Sequence, residues 1–272
     1  MAPQAPALLP RWLVRFGYDG LGFQGWARQP GERTVEGEIR AGLARFGADP
    51  DRIALEVASR TDRGVSARAN VLTLRSALAG PTLLRALNGI SPELFFSAAT
   101  PVDDSFRVRH ARYRVYRYFD PRPVRAPRRR ADAARQFRGL VDVRSIARGV
   151  PPERPRWQPI ESVTSHAWRT GTLLEVRAPS FVWGMVRKIV AALREVDDGR
   201  LSLADLRAAL KGRERLTLPL AEPEPLVLWD VRYPIRWTVR WTGPNRYQQE
   251  REDTTERALW ARTEVLRALR TR

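Results

Sequence analysis

The chain has 272 residues, of which 43% are hydrophobic and 29% are charged. This composition excludes a disordered chain and suits one large domain or two modest ones. Cysteine is absent, and the two histidines, His110 and His166, are far apart in sequence, which excludes thiolate chemistry and argues against a metal centre. No apolar run approaches the ~20 residues of a membrane span, and the first residues lack the basic start of a signal peptide. We therefore expect a cytoplasmic protein that binds neither a membrane nor a metal.

The net charge is strongly positive, at +18, because 48 basic residues stand against 30 acidic ones. Only Lys188 and Lys211 are lysines; a GC-rich genome would explain the preference for arginine, but not the excess of positive charge. Such an excess attracts polyanions through counterion release, and nucleic acid is the commonest partner of that kind. The charge therefore predicts a nucleic-acid-binding protein, the alternative being a merely basic surface.

The first half of the chain predicts alternating strands and helices. A strand starts at Arg11 and ends in the Asp19-Gly20 turn signal, and a Gly-rich stretch follows. Thr34 can cap a helix whose apolar residues recur at helical spacing as far as Gly47. The further elements are strands over 53–57, 70–76 and 106–119 and a short helix over 81–88. In the last of these strands apolar or aromatic residues alternate with arginines, which predicts one basic face.

A Pro/Arg-rich stretch, 120–130, separates two blocks of predicted elements. We interpret it as a loop and a domain boundary, whose arginines would make a mobile phosphate-binding arm; a solvated loop is the alternative. The second block contains helices over 131–148, 180–199 and 202–212, two strands around 170–172, a strand over 226–233 and a helical tail from 254. The chain is thus predicted to be α+β with antiparallel or mixed sheets.

The stretch ASRTDRGVSARANV, residues 58–71, places one carboxylate between two arginines after a predicted strand. On such a loop Asp62 could be an ordinary turn residue, half of a surface ion pair with Arg60 or Arg63, or a nucleophile. The local pattern alone favours a structural aspartate. The Walker, GxGxxG, GxSxG, HExxH and CxxC motifs are absent from the sequence, so no cofactor is predicted.

Five parts of the sequence, in order along the chain, resemble the tRNA pseudouridine synthases of the TruA type. They are YDGLGFQGWARQP with TVEGEI, then SRTDRGVSARANV, ARYRVYRYF, SFVWGMVRKIV and AEPEPLVLWDVRYP, and together they span about residues 13–234. Ser66 and the Pro-Leu-Val-Leu ending of the last motif are closer to archaeal members. The chain departs from the family pattern at Arg63, where a small residue is usual, and at Pro225, where glycine is usual.

The resemblance implies roles for individual side chains. Asp62 would attack the target uridine, at C1′ or C6, and Arg187 would pair with Asp62 and keep it ionised. Tyr116 would stack on the uracil and could shuttle a proton. Tyr118 and Tyr113 are rivals for that role, because the spacing before Tyr116 is one residue short. Arg60 would hold the RNA with the target base extruded. Other residues expected at the RNA are Thr61, Arg63, Gln24, Gly25, Trp26, Tyr118, Arg117, Arg128 and Arg129.

Several of these residues also have a purely structural interpretation. Tyr116 could be an ordinary strand residue. Arg187 lies nearly opposite the apolar stripe of its predicted helix, so it is either a solvated arginine or lines a cleft. Arg60 could equally clamp a phosphate, and Arg63 could contact RNA phosphate or be a surface charge.

The resemblance also implies a fold, a substrate and an assembly. Family members are α+β proteins with two similar lobes, mostly antiparallel sheets joined edge to edge, helices on one face and a basic cleft between the lobes. We therefore expect an N-terminal lobe over 1–120, a C-terminal lobe over 121–235 and a helical extension over 236–272. The implied reaction is isomerisation of uridine to pseudouridine at positions 38–40 of the tRNA anticodon stem-loop, without cofactor or metal, by a homodimer in which one tRNA spans both subunits. The alternatives are a uridine isomerase acting on another RNA or tRNA position, and a non-catalytic RNA-binding or chaperone protein.

Overall fold

The computed structural model describes residues 9–47, 52–150, 155–169, 171–243 and 254. Within them the chain forms eleven strands and five α-helices. The strands are β1 (Arg11–Tyr18), β2 (Glu56–Val57), β3 (Ser66–Arg75), β4 (Leu94–Pro101), β5 (Tyr113–Asp120), β6 (Gly139–Asp142), β7 (Trp157–Ile160), β8 (Ser162–Trp168), β9 (Gly171–Ala178), β10 (Leu226–Arg232) and β11 (Val239–Arg240). The helices are α1 (Val35–Arg45), α2 (Gly80–Asn88), α3 (Pro127–Gln136), α4 (Met185–Asp197) and α5 (Leu203–Leu210).

One large sheet organises the fold. Nine strands form it in the order β11-β4-β1-β3-β10-β5-β9-β8, with β2 paired to β3 at the side. Every pairing within this sheet is antiparallel except that of β3 with β10, where Val227 and Leu228 lie opposite Ser66 and Ala67. β10 comes late in the chain yet lies in the centre, so it joins the strands of the first half to those of the second. The prediction of an α+β protein with a mostly antiparallel sheet is confirmed.

Helix α4 is buried along almost its whole length. Gly184 precedes it in the left-handed conformation, with φ of 72°, and a Cβ at that position would lie 3.0 Å from Leu220 and 3.2 Å from Arg148. The buried residues of the helix are Met185, Val186, Ile189, Val190, Ala191, Ala192, Leu193, Arg194, Val196 and Asp197. Because neighbouring elements cover it on several sides, a charged residue of α4 can point into the protein rather than into solvent.

The strand predicted over 106–119 begins only at Tyr113. The preceding residues form turns, one of them closed by Asp103, whose carboxylate accepts the backbone N–H of Ser105 at 2.8 Å. The prediction of one basic face is wrong, because Arg114 and Arg117 are three residues apart and therefore point to opposite faces of β5. Arg114 is buried, whereas Arg117 is only partly buried.

The stretch predicted as a loop over 120–130, and the helix predicted over 131–148, have different bounds in the structure. α3 begins inside the Pro/Arg-rich stretch, at Pro127, and ends at Gln136 before the short strand β6. Proline suits the first position of a helix, and the helix start is fixed by Arg130, which is 1% exposed and donates to Asp120 at 2.8 Å. Sequence pattern missed this start because the buried ion pair is a tertiary contact.

The arginines before α3 do not form a mobile arm. Arg122 and Arg125 lie 3.0 Å and 3.8 Å from the carboxylate of Asp198, at the end of α4. The backbone N–H groups of Arg125 and Ala126 donate to Asp197. The stretch is therefore fastened to α4 by two neighbouring carboxylates.

Two further predictions concern the ends and the division of the chain. The predicted tail helix lies outside the described residues, apart from Thr254, which is helical. The division into lobes at residue 120 stays a prediction, since one continuous sheet carries strands from both sides of it. Within the described ranges, the helices are all too short or too polar to span a bilayer.

Candidate active site

A cavity of about 1060 Å³ opens where several segments of the chain meet. They include the Gly-rich loop after β1, the loop over 58–65, strand β5, the stretch over 180–187 that leads into α4, and residues 223–226, where β10 begins. The residues predicted from sequence that line the cavity are Asp62, Tyr116, Arg187, Arg60, Thr61, Arg63, Gln24 and Trp26. These residues come from four of the five motifs, and the fifth motif contributes Pro223, Glu224 and Leu226 to the lining.

Asp62 lies at the mouth of this cavity with its carboxylate held at both oxygens. Arg187 donates from Nη1 to Oδ2 at 3.2 Å, and the indole N–H of Trp183 donates to Oδ1 at 2.9 Å. The Asp62 side chain remains 30% exposed. Each carboxylate oxygen can accept more than one hydrogen bond, so the group keeps electron pairs that a bound molecule could reach.

The Gly-rich loop after β1 holds the backbone of the Asp62 loop. Gly25 has φ of +92°, and a Cβ there would lie 3.0 Å from the carbonyl of Thr61 and 3.2 Å from the backbone of Asp62, so only glycine permits this approach. The backbone N–H of Trp26 donates to the backbone carbonyl of Thr61 at 3.1 Å. The hydroxyls of Tyr18 and Thr61 are 2.7 Å apart. Gly25, Trp26 and Thr61 therefore position the loop, and their contact with RNA stays a prediction.

Arg187 points into the cavity and is not a solvated arginine. Its side chain is 15% exposed, and Nε donates to the carbonyl of Ala221 at 2.6 Å while Nη1 reaches Asp62. Arg187 lines the cavity together with Met185 and Val186 at the start of α4, which is the second of the two interpretations that the helical periodicity left open. The Ala221 contact fixes the guanidinium before any ligand binds.

Tyr116 borders the cavity with a buried phenol ring. Its ring packs edge-on against Phe181, with centroids 4.9 Å apart and planes at 79°. Burial raises the pKa of Tyr116 to about 12; the positive charge of Arg114 opposes this shift and the negative charge of Asp62 adds to it. Tyr116 is therefore a neutral phenol near neutral pH.

Tyr118 lies two residues further along β5 and outside the cavity lining. It is fully buried, its hydroxyl donates to Glu222 at 2.9 Å, and it accepts a hydrogen bond from Arg194 at 3.2 Å. Burial, together with Glu222, raises the pKa of this phenol, although Arg194 opposes the shift. This geometry favours Tyr116 over Tyr118 as the residue that faces a ligand.

Arg60 and Arg63 flank Asp62 at the cavity mouth and are both exposed. Among the described residues, neither has an ion pair or a side-chain hydrogen bond. A guanidinium without a protein partner is available to bind an anion such as phosphate. Arg109 and Arg148 are also exposed and line the same cavity.

Three arginines predicted at the RNA do not line the cavity. Arg117 donates to Glu175 at 2.8 Å and stacks 4.0 Å from the ring of Trp229. Arg129 donates to the carbonyl of Leu201 at 3.3 Å, and Arg128 is exposed on α3. Their contact with RNA stays a prediction.

Sequence patterns missed two residues that contact the Asp62 loop. One is Trp183, which reaches Asp62 directly. The other is Arg114, which is 5% exposed and donates to Ser59 Oγ at 2.8 Å and to the carbonyl of Ala58 at 2.9 Å. Arg114 shares its face of β5 with Tyr116, and that two-residue spacing was the available signal.

No group of three or more His, Asp or Glu side chains within the described ranges is arranged to hold a metal ion. The chemistry available at the site is that of a carboxylate, a guanidinium and a phenol. Such a set can attack an electrophilic carbon and hold an aromatic ring without a further group.

The chain is similar to known tRNA pseudouridine synthases over most of its length. A family model described as tRNA pseudouridine synthase matches residues 133–234. The chain is 36% identical to the tRNA pseudouridine synthase A of Thermococcus kodakarensis over 81% of this chain and 84% of the relative. The corresponding protein of Thermococcus onnurineus is also 36% identical, and that of Pyrococcus abyssi is 33% identical; each match covers 82% of this chain and 85% or 84% of the relative.

These matches place the chain among the RNA-modifying isomerases. It belongs to the TruA family of tRNA pseudouridine synthases, as its five motifs suggested. Among solved structures, a chain from a crystal structure of a Cbf5-Nop10-Gar1 complex matches 78% of this chain and 56% of that chain, with 11% identity and a TM-score of 0.35. A likeness that low carries no argument about this protein.

Proposed function

We propose that the protein isomerises uridine to pseudouridine at positions 38–40 of the tRNA anticodon stem-loop, with Asp62 as the nucleophile. Family membership supports the reaction and the tRNA substrate. One observation carries the assignment of the nucleophile: Asp62 faces a large cavity, both of its oxygens are held by N–H donors, and Tyr116 borders the same cavity.

The target uridine must leave its stack to reach Asp62. Extrusion of a base costs on the order of a few kcal/mol, and stacking on an aromatic side chain returns ~1–3 kcal/mol. Tyr116, with Phe181 packed against it, offers a buried aromatic surface beside the carboxylate.

The reaction needs no group beyond the protein and the RNA. A carboxylate oxygen of Asp62 bonds to C1′ or C6 of the uridine, and the bond between N1 and C1′ breaks. The base turns and forms the new bond from C5 to C1′; C5 then loses a proton, N1 gains one, and Asp62 is released unchanged. Tyr116 is a neutral phenol in this scheme, because with a pKa of about 12 its hydroxyl is not ionised near neutral pH. Its part is to hold the ring.

Arg187 keeps Asp62 ready for attack. Its Nη1 donates to the Asp62 carboxylate at 3.2 Å, and the second hydrogen bond, from Nε to the Ala221 carbonyl, fixes the guanidinium in that position. The exposed guanidinium groups of Arg60 and Arg63 surround the same mouth and attract the phosphates of the RNA.

We further propose a homodimer in which one tRNA contacts both subunits. Light scattering with and without tRNA measures the mass of the protein and of its complex.

The test uses unmodified tRNA transcripts, the wild-type protein and Asp62→Asn, with pseudouridine mapped by carbodiimide treatment and primer extension. We expect product in the anticodon arm from the wild type and none from the variant. Product only outside that arm overturns the position. No product from a folded, RNA-binding wild type overturns the enzyme and favours an RNA chaperone, and full activity of Asp62→Asn overturns the nucleophile.

A further inference from the structure

Trp183 combines exposure at the cavity mouth with a direct contact to Asp62. It is 55% exposed, although its indole N–H donates to the Asp62 carboxylate at 2.9 Å. A large aromatic side chain that stays this exposed forfeits burial of its own surface. Its N–H bond explains where the ring is held, but not why half of the ring faces solvent.

The backbone around Trp183 is rigidly built. Its carbonyl accepts the N–H of Arg148 at 2.7 Å, and the next residue, Gly184, starts α4 in the left-handed conformation. The Arg148 guanidinium lies 4.5 Å from the centroid of the indole. Arg148 is itself exposed and, within the described part of the chain, has no carboxylate partner. The result is a fixed stack of a cation on an indole beside the proposed nucleophile.

We infer that Trp183 and Arg148 form a second nucleobase site, which stacks the nucleotide next to the extruded uridine. This inference rests on the proposed function. When a base flips out, its neighbour in the strand loses a stacking partner, and single-stranded bases are commonly stacked on aromatic rings and arginine planes. Trp183 is within hydrogen-bond reach of the carboxylate that the target must meet, so an adjacent nucleotide passes this ring.

The same indole would link occupancy of this site to the nucleophile. A base that stacks on Trp183 restrains the ring and therefore the N–H bond to Asp62. Trp183 is then a positioning residue for Asp62 as well as a contact for RNA. Trp183→Phe removes the N–H but keeps an aromatic ring, so it should affect the rate more than tRNA binding. Trp183→Leu removes both, so it should also weaken tRNA binding.

The binding test is made in the inactive Asp62→Asn background, so that turnover does not enter. We expect Trp183→Leu to weaken tRNA binding by about tenfold, since it removes the ring on which one base stacks, and Trp183→Phe to bind within about threefold of the wild-type ring. Trp168→Leu is the matched control, because Trp168 is 48% exposed and does not line the cavity. Equal affinities of the Trp183→Leu and Trp168→Leu proteins overturn the inference.

A cycle with modified RNA identifies the base. Two tRNAs are compared, one without the base on the 5′ side of the target and one without the base on the 3′ side. If Trp183 stacks on one of these bases, Trp183→Leu should no longer weaken binding of the tRNA that lacks that base. If Trp183→Leu weakens the binding of both tRNAs as much as it weakens binding of the intact tRNA, the inference is overturned. With Asp62 restored, Trp183→Phe should lower kcat severalfold and leave KM near the wild-type value. Absence of product from the wild type would instead show failure of the proposed function, while the binding cycle still decides this site.

Discussion

Two aspartates of this protein are each paired with an arginine of α4, and the pairs differ in their access to solvent. Arg187 and Arg194 are seven residues apart and so share one face of the helix. Arg187 lies 3.2 Å from Asp62, and Arg194 lies 3.0 Å from Asp120. The Asp62 side chain is 30% exposed at a cavity, whereas that of Asp120 is fully buried.

The buried pair has its hydrogen bonds completed within the protein. Asp120 accepts bonds from Arg130, Arg194 and the backbone N–H of Arg122. Burial acts to raise the pKa of Asp120, but the hydrogen bonds from Arg194 and Arg130 outweigh burial and hold the pKa below its ordinary value. The comparison teaches that an arginine partner alone does not mark a catalytic carboxylate. Access to a cavity beside an aromatic ring distinguishes Asp62.

The largest effect is expected for Asp62→Asn, which keeps the shape of the side chain and removes its charge. The rate of pseudouridine formation should fall by about 10⁴-fold or more, as when a covalent nucleophile is removed. The free energy of unfolding should change by less than about 1 kcal/mol, because the pair with Arg187 is partly exposed. Product mapping and urea unfolding measure the two quantities. A 10⁴-fold loss of rate corresponds to about 5.5 kcal/mol. A fall of that size in the free energy of unfolding would mean that Asp62 is structural and would contradict a catalytic role.

Asp120→Asn should show the opposite behaviour. It removes the charge that faces the buried Arg130 and Arg194, and Arg130 keeps only the Asp197 carboxylate at 3.9 Å; breaking a buried pair in this way costs about 3–5 kcal/mol. The rate of the folded variant, measured well below its melting temperature, should stay within about threefold of the wild type. A normal unfolding free energy would show that the cluster is not structural.

The stabilisation that the buried Asp120 provides should depend on pH. Because the pKa of Asp120 in the folded protein lies below its ordinary value of 3.8, this stabilisation is present above that pH and is lost as the pH falls through the folded pKa. The unfolding free energy of the wild type should therefore drop more steeply below about pH 4 than that of Asp120→Asn. Parallel curves would remove Asp120 as the cause.

Arg187→Gln is expected to reduce the rate by about 10²–10³-fold, the usual cost of losing one preorganised donor. Arg187→Lys keeps the charge but cannot contact both Asp62 and the Ala221 carbonyl in the same way, so it should recover only part of the rate. Arg187 and Asp62 act on one carboxylate, and the double variant should be no slower than Asp62→Asn alone. If the double variant lost rate by the product of the two single-variant factors, the pairing of Arg187 with Asp62 would be contradicted.

The smallest effects separate the two tyrosines of β5. Tyr116→Phe keeps the ring, so tRNA affinity should change little, whereas Tyr116→Ala should lose the ~1–3 kcal/mol of a stacked base. Tyr118→Phe removes the hydroxyl that bonds to Glu222 and Arg194, so it should lower stability by about 1–2 kcal/mol and leave affinity unchanged. An affinity loss for Tyr118→Phe and none for Tyr116→Ala would reverse the assignment.

The resemblance to family motifs predicts the parts of this site that lie within continuous stretches, whereas the local pattern around Asp62 alone favours a structural role. The loop with Asp62, the tyrosine strand and the helix with Arg187 are each visible as short stretches, and the alternation of strands and helices indicates the α+β class. Trp183 and Asp62 are 121 residues apart, and no local pattern encodes their contact. The parallel pairing of β10 with β3 and the buried Asp120–Arg130 pair are missed for the same reason. Such contacts depend on how distant elements pack.

The central claim is that Asp62, and not simply any arginine-paired aspartate, carries out the reaction. The most direct measurement is the single-turnover rate of pseudouridine formation by the wild type, Asp62→Asn and Asp120→Asn on one tRNA transcript, at a temperature where all three are folded. We predict that only Asp62→Asn loses the reaction, by about 10⁴-fold or more. A near-normal rate for Asp62→Asn, or an equal loss for Asp120→Asn in the folded state, would contradict the account.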